Sequence, residues 1–258
     1  MFVTRPDGCR LWLQVHGRQG DPPLLLLEGM GGDLPGWRRN IPRLADALRV
    51  IAYDHRGNGM SDEPPGPCTM STFVEDAVAV LDAAGEPDAH VYGQSFGGMV
   101  AQELALTHPQ RVRSLILAAT HAGSAHAVAS DEERTVPKDE PWRSLYAPGF
   151  PEAHPEHVAE DLRAGASQPP HPLGQRRQWE AMRDWDAFER LPRIDAPTLV
   201  LHGTRDGLVA PQNAVVLASR IPGAELVWLE GAGHVYHSEQ PEAADRAVLE
   251  FIGRHRDG

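Results

Sequence analysis

The chain has 258 residues, 41% of them hydrophobic, with 36 acidic against 24 basic side chains and a formal charge of −12. That length and apolar content suffice for one large α/β domain, and the negative charge argues against nucleic acid and anionic membranes, which need basic surface to displace counterions. Cys9 and Cys68 are too few for a disulfide framework, the N-terminus lacks a basic segment followed by an apolar one, and no run approaches a membrane span, so a cytoplasmic protein with reduced thiols is expected.

Residues 10–16 alternate enough to predict an antiparallel strand, reached from a shorter one through a turn at Asp7-Gly8. Apolar runs without polar alternation follow at 24–27, 50–53, 90–92, 112–117, 198–201 and 225–229, the pattern of parallel strands covered on both faces. Apolar residues recurring at three and four positions predict helices over 37–48, 72–84, 96–107, 211–220 and 241–253, with Gly85 and Pro109 marking two helix ends. This alternation predicts a mostly parallel sheet with right-handed crossovers, on which ligands bind beyond the strands' C-terminal ends. The interval 121–190 breaks the rhythm. Eight prolines crowd it and no strand is evident, yet Trp142, Tyr146, Phe150, Trp179, Trp185 and Phe188 make it too aromatic for a disordered linker. It reads as a folded cap inserted into a core made of 1–120 and 191–258.

The most telling stretch is Gly93-Gln94-Ser95-Phe96-Gly97, between the strand at 90–92 and the helix at 96–107. A serine on a sharp strand-to-helix turn projects its hydroxyl away from the backbone, and only small residues two before and two after allow so tight a turn. A helix N-cap is the competing reading of Ser95. Its hydroxyl is a poor nucleophile unless a histidine takes the proton and a carboxylate fixes that ring's tautomer. Asp206 stands in the loop after 198–201, and His234 follows 225–229 in Gly231-Ala232-Gly233-His234, so all three fall at the sheet's C-terminal edge. A turn-stabilising aspartate and a surface imidazole are the plainer readings of those two, and His237 competes with His234.

The order Ser95, Asp206, His234 is that of the α/β-hydrolases. Together with Tyr53-Asp54-His55-Arg56-Gly57-Asn58-Gly59-Met60-Ser61, residues 93–102 and Ala196-Pro197-Thr198-Leu199-Val200-Leu201-His202-Gly203, it makes the sequence resemble that superfamily over 24–120 and 197–251. The resemblance is nearest to the esterase and lactonase branch that includes 3-oxoadipate enol-lactonase-like proteins. It implies an α/β-hydrolase fold, with a mostly parallel eight-stranded sheet flanked by helices and an inserted helical cap. It also implies a serine hydrolase in which Ser95 attacks, His234 moves the proton, Asp206 orients the ring, and the backbone amides of Met30 and Phe96 form the oxyanion hole.

No cofactor is expected and no metal, since His154-Pro155-Glu156-His157 has two histidines without further spaced ligands and reads as a surface loop. Asp54, Arg56 and Ser61 read as structural parts of a glycine-rich turn. Glu28-Gly29 stands where the family often has His-Gly. An ionised carboxylate aimed at the oxyanion would oppose catalysis, so Glu28 is expected to turn away or bond loop amides, a tuned acid being the other reading.

Met30, Phe96, His121, Trp142 and Tyr146 are candidates to contact substrate, with Met99 a further pocket wall; core packing competes for each. Arg134, Arg143, Arg163, Arg176, Arg177 and Arg183 offer cations for an acidic substrate, although acidic residues outnumber basic ones in that interval. The function expected is hydrolysis of a small-molecule carboxylic ester or lactone through an acyl-enzyme on Ser95. Other triad reactions remain open, namely amide or C–C bond hydrolysis and cofactor-free perhydrolysis, as does a ligand-binding protein that keeps the scaffold without turnover. Ser95 argues against dehalogenase and epoxide hydrolase chemistry, which uses an aspartate nucleophile. The oligomeric state is not legible.

Overall fold

Residues 1–63, 66–129, 139–166 and 171–255 are described by the structure, a computed structural model. Strands β1 (Phe2–Thr4) and β2 (Arg10–His16) form a hairpin whose turn is made by Gly8 at φ 86°. Strands β3 (Pro23–Leu27), β4 (Arg49–Tyr53), β5 (Ala89–Gln94), β6 (Val112–Ala118), β7 (Thr198–Gly203) and β8 (Glu225–Leu229) complete one eight-stranded sheet in the order β1-β2-β4-β3-β5-β6-β7-β8. Only the β1–β2 and β2–β4 pairs are antiparallel.

The helices are α1 (Ile41–Leu44), α2 (Met70–Ala84), α3 (Phe96–Thr107), α4 (Phe150–Ala153), α5 (Pro155–Gly165), α6 (Pro172–Arg183), α7 (Gln212–Arg220), α8 (Tyr236–Glu239) and α9 (Pro241–Arg254). The period of two along each strand divides the core between the faces. Leu25, Leu27, Val91 and Leu117 pack with residues of α2, α3 and α7, while Leu24, Leu26, Tyr92 and Ile116 pack with Trp37 and residues of α9. Every residue of β3 and β5 is buried, as two-sided coverage demands. Among the described residues no helix is long and apolar enough to cross a membrane.

Two local expectations need correction. The helix predicted over 37–48 is a 3-10 turn, Leu34–Trp37, followed by the single turn α1. Pro42 lacks the N–H a continuous helix over 37–48 needs, and the Asn40 amide is committed elsewhere, donating to His237 O (3.1 Å) and Asp245 Oδ1 (2.8 Å). His154-Pro155-Glu156-His157 opens helix α5 rather than forming a loop. Pro155 suits the first helical position, and His157 Nε2 lies 2.9 Å from Ser238 Oγ.

The interval after β6 holds α4, α5, α6 and a 3-10 turn, Pro141–Leu145. It is tied to loops at the C-terminal edge of the sheet. Gly31 N–H donates to Gln178 Oε1 (2.9 Å), His171 Nε2 lies 2.9 Å from Gly59 O, and Asp161 accepts from Arg38 and from Ser238 Oγ.

The turn after β4 spends its polar groups internally. Asp54 accepts from Leu34 N–H (2.7 Å) and Met60 N–H (2.8 Å), and Ser61 Oγ donates to Asp54 O (2.6 Å). Gly57 and Gly59 adopt φ 76° and 52°. Arg56, 3% exposed, binds both oxygens of the fully buried Asp76 (2.5 and 2.6 Å) and reaches Asp7 (2.7 Å). Arg56→Met would leave the buried Asp76 with only the partly exposed Arg5, 2.9 Å away, and is expected to cost about 3 kcal/mol in urea unfolding. Arg254→Met, which breaks an exposed pair with Glu225, should cost less than about 1 kcal/mol. Equal costs would refute the assignment of Arg56 as a buried structural tie.

Candidate active site

Ser95 sits between β5 and α3 at φ 52° and ψ −115°, a strained backbone for an L-residue. Its surroundings hold it there. Ser95 N–H donates to Ala118 O (2.8 Å), and Ser95 O accepts from Gly98 N–H (2.9 Å) and Thr120 Oγ1 (2.7 Å). A Cβ on Gly93 would stand 2.3 Å from Gly97 O, and one on Gly97 would stand 2.1 Å from Leu27 O. Both clashes are with backbone, which cannot rotate aside. The Ser95 hydroxyl does not cap α3, so helix capping does not explain it.

At the ends of β7 and β8, His234 Nδ1 lies 2.8 Å from Asp206 Oδ2, with both residues 3% exposed. Asp206 Oδ1 accepts the N–H groups of Leu208 and Val209, each at 2.9 Å. Burial pushes the Asp206 carboxyl upward, but the His234 charge and hydrogen bonds from His202 and His234 outweigh it and hold the group well below the usual carboxylate range. An Nδ1–H donated to that carboxylate leaves Nε2 as the nitrogen able to accept a proton. Gln94 Nε2 donates to His234 O (3.4 Å), so the residue before Ser95 touches the His234 backbone. The structure thus brings Asp206 and His234 together. It shows no hydrogen bond from the Ser95 hydroxyl among the described residues, a link that often tightens only with substrate bound. His237 does not reach Asp206 and faces a cavity instead.

Two contributors were missed at the level of sequence. His202, fully buried at the end of β7, places Nε2 3.2 Å from Asp206 Oδ2 and 2.8 Å from Val209 O. Its spacing of four from Asp206 was the available signal. Glu239 accepts from Gly233 N–H (3.1 Å) and Ala147 N–H (3.0 Å), joining the His234 loop to the 121–190 interval. Nothing local marks that contact.

The loop after β3 lies against Ser95, since a Cβ on Gly29 would be 3.4 Å from Ser95 Cβ. Gly29 N–H donates to Glu28 Oε1 (2.9 Å), Gly31 N–H to Gln178 (2.9 Å) and Gly32 N–H to Gly29 O (3.1 Å). The amides of Met30 and Phe96 have no acceptor among the described residues and stay available. The Phe96 ring is 1% exposed and packs edge-on against Phe73 (4.9 Å) and His55 (5.6 Å), so core packing accounts for its side chain. Met99, 2% exposed, is likewise core.

His121 Nδ1 accepts from Gly123 N–H (3.1 Å), and burial lowers the ring below the ordinary imidazole range, with the His234 charge a lesser cause in the same direction. Trp142 and Tyr146 line a cavity of about 220 Å³, where the Tyr146 hydroxyl donates to Asp161 (2.8 Å). The arginines of the interval are mostly paired: Arg143 with Glu140 and Glu152, Arg176 and Arg177 with Glu180, and Arg183 with Asp184. Arg163 is exposed, and Arg134 lies outside the described residues.

Glu28 both bonds a loop amide and is strongly perturbed. Burial pushes its carboxyl up from 4.5 to about 8, with Asp33 and Asp54 adding in the same direction. Such a group supports the folded state fully below pH 4.5, and its contribution declines as pH rises until the folded group ionises near 8. Glu28→Gln removes that decline. Its melting temperature relative to the unsubstituted protein should therefore rise by more than about 3 °C between pH 5 and pH 8. A difference independent of pH would contradict the buried, neutral Glu28.

Comparison with known proteins identifies the family. Residues 22–241 match the alpha/beta hydrolase fold family model. The chain is 32% identical over 253 residues to a putative carbamate hydrolase RutD of Azorhizobium caulinodans, covering 94% of this chain and 95% of that one. It is 31% identical over 251 residues to 3-oxoadipate enol-lactonase 2 of Acinetobacter baylyi, covering 93% and 92%. The crystal structure of the enol-lactonase from Burkholderia xenovorans superposes with a TM-score of 0.86 at 26% identity, covering 98% of this chain and all of that one. The chain belongs to the alpha/beta hydrolase fold family and is a hydrolase.

Proposed function

We propose that the protein cleaves a carboxylic ester or lactone of a small molecule through an acyl-enzyme on Ser95. The observation that carries this reading is the 2.8 Å bond between His234 Nδ1 and the buried Asp206, set at the same sheet edge as the strained Ser95. His234 Nε2 takes the hydroxyl proton as Ser95 Oγ attacks the carbonyl, and the oxyanion is received by the amides of Met30 and Phe96. His234 then gives the proton to the leaving alkoxide. Water then loses a proton to the same nitrogen as its oxygen attacks the acyl carbon, and His234 returns that proton to Ser95 Oγ as the bond to it breaks and the acid leaves. The 121–190 interval acts as the cap, its Leu145 O accepting from Val235 N–H (3.0 Å) beside the proposed base. Cys9 and Cys68 are buried free thiols, which supports placing this chemistry in a reducing cytoplasm.

The carbamate hydrolase named among the relatives favours a second reading, in which the same groups cleave a C–N bond. Matched ester, lactone, carbamate and amide substrates separate the two. On the ester and lactone, kcat/KM should exceed that on the carbamate and amide by at least about 100-fold, an alkoxide being the easier leaving group; the reverse order would favour the second reading.

Ser95→Ala and His234→Gln should each lower kcat by about 10⁴-fold or more with unchanged circular dichroism, and Asp206→Asn by about 10⁴-fold. A losses-free Ser95→Ala variant would exclude the acyl-enzyme. Specific ligand binding without turnover in the unsubstituted protein would instead favour a binding role on the hydrolase scaffold.

A further inference from the structure

The cavity of about 220 Å³ lies between the loop after β3, helix α5 and helix α8. Glu28 and His237 line it, 6% and 3% exposed, and each carries a buried polar atom without a partner, Glu28 Oε2 and His237 Nδ1. The loop is shaped around the carboxyl. A Cβ on Gly32 would stand 2.4 Å from Glu28 Cγ, and one on Gly36 would stand 2.8 Å from Glu28 Oε2. Neither glycine has a positive φ, so what glycine supplies there is room. Gly31 and Gly32 of the wall follow Met30 directly, and Val235 follows His234, so the cavity adjoins both loops of the proposed reacting centre. Buried polar atoms left unpaired are costly, and a group that pairs with them binds with that advantage.

We propose that this cavity is a substrate subsite for an uncharged, carbonyl-bearing arm beyond the scissile bond, a ketone or amide whose oxygen accepts a hydrogen bond from the Glu28 carboxylic acid. This assignment rests on the reading of Ser95 as the nucleophile of an ester or lactone hydrolase. Oε1 already accepts Gly29 N–H (2.9 Å), and no cation lies within 4 Å of Glu28 among the described residues, so the acid's proton belongs on Oε2. There it is a donor lacking an acceptor, which a carbonyl oxygen supplies. Trp142 and Leu162 offer apolar wall to the arm's methylenes. Charge decides against an anionic arm. Asp33 and Asp161 line the same cavity, and its one arginine, Arg38, is bound to Asp161.

Three p-nitrophenyl esters of nearly equal length test the assignment: the 4-oxopentanoate, the pentanoate and the half-ester of succinate, which carries a carboxylate where the first has a methyl ketone. The unsubstituted protein should show kcat/KM about tenfold higher on the oxo ester than on the pentanoate, the value of one net hydrogen bond, and lowest on the succinate. Glu28→Gln, whose amide still donates, should keep that preference, and Glu28→Leu should reduce it to within about twofold. Equal rates on oxo and alkyl esters would mean the cavity holds only water and overturn the proposal, as would an undiminished preference in Glu28→Leu or its loss in Glu28→Gln. If Glu28→Leu does not fold, the other two proteins still decide. Failure of the underlying reading is distinct, appearing as turnover of none of the three esters or turnover that survives Ser95→Ala.

Discussion

A single buried hydrogen bond, from His234 Nδ1 to Asp206, organises the site. It needs two loops from adjacent parallel strands, β7 and β8, to end at the same edge, and it needs the aspartate fully supplied with donors. The Leu208 and Val209 amides and the two imidazoles of His202 and His234 provide them. A carboxylate held so firmly in its charged form fixes which nitrogen of His234 is free. The constraint on Ser95 is of a different kind. It is steric, imposed by Gly93 and Gly97 where backbone passes within van der Waals contact, and it keeps the hydroxyl out of the capping role a serine before a helix would otherwise take.

The interval over the sheet edge is bound to the same loops. Glu239 accepts amides from Gly233 and Ala147, and Asp161 of α5 gathers Arg38, Tyr146 and Ser238. The Glu239 and Val235 contacts tie the position of His234 to the interval, while the Asp161 cluster closes the cavity floored by Glu28. A movement of that interval would therefore be felt at the proposed base and at the proposed subsite together. The cavity's resistance to an anion follows from the same arrangement, since burial raises the Glu28 and Asp33 carboxyls and Asp161 holds Arg38.

Much of the fold was legible because buried parallel strands leave a plain signature: the run at 24–27 is apolar at every position and becomes β3. The helix expected over 37–48 failed because apolar periodicity takes no account of the backbone donor that Pro42 withholds, nor of Asn40 being drawn to Asp245 on α9. Asp206 and His234 were legible from motif order, and the structure bonds them. For Phe96 the sequence could place only the backbone, after Ser95; the direction of its ring is set by Phe73 and His55, from other elements. Glu239 and the Glu28 cavity depend on contacts across the whole chain, and no local spacing carries them.

The most direct measurement of the central claim is the stoichiometry and site of fluorophosphonate labelling, followed by intact mass and peptide mapping. An activated serine should take one label per chain on Ser95, and His234→Gln should slow that labelling by at least about 100-fold. Absence of labelling, a label on another residue, or labelling at the same rate without His234 would contradict the account.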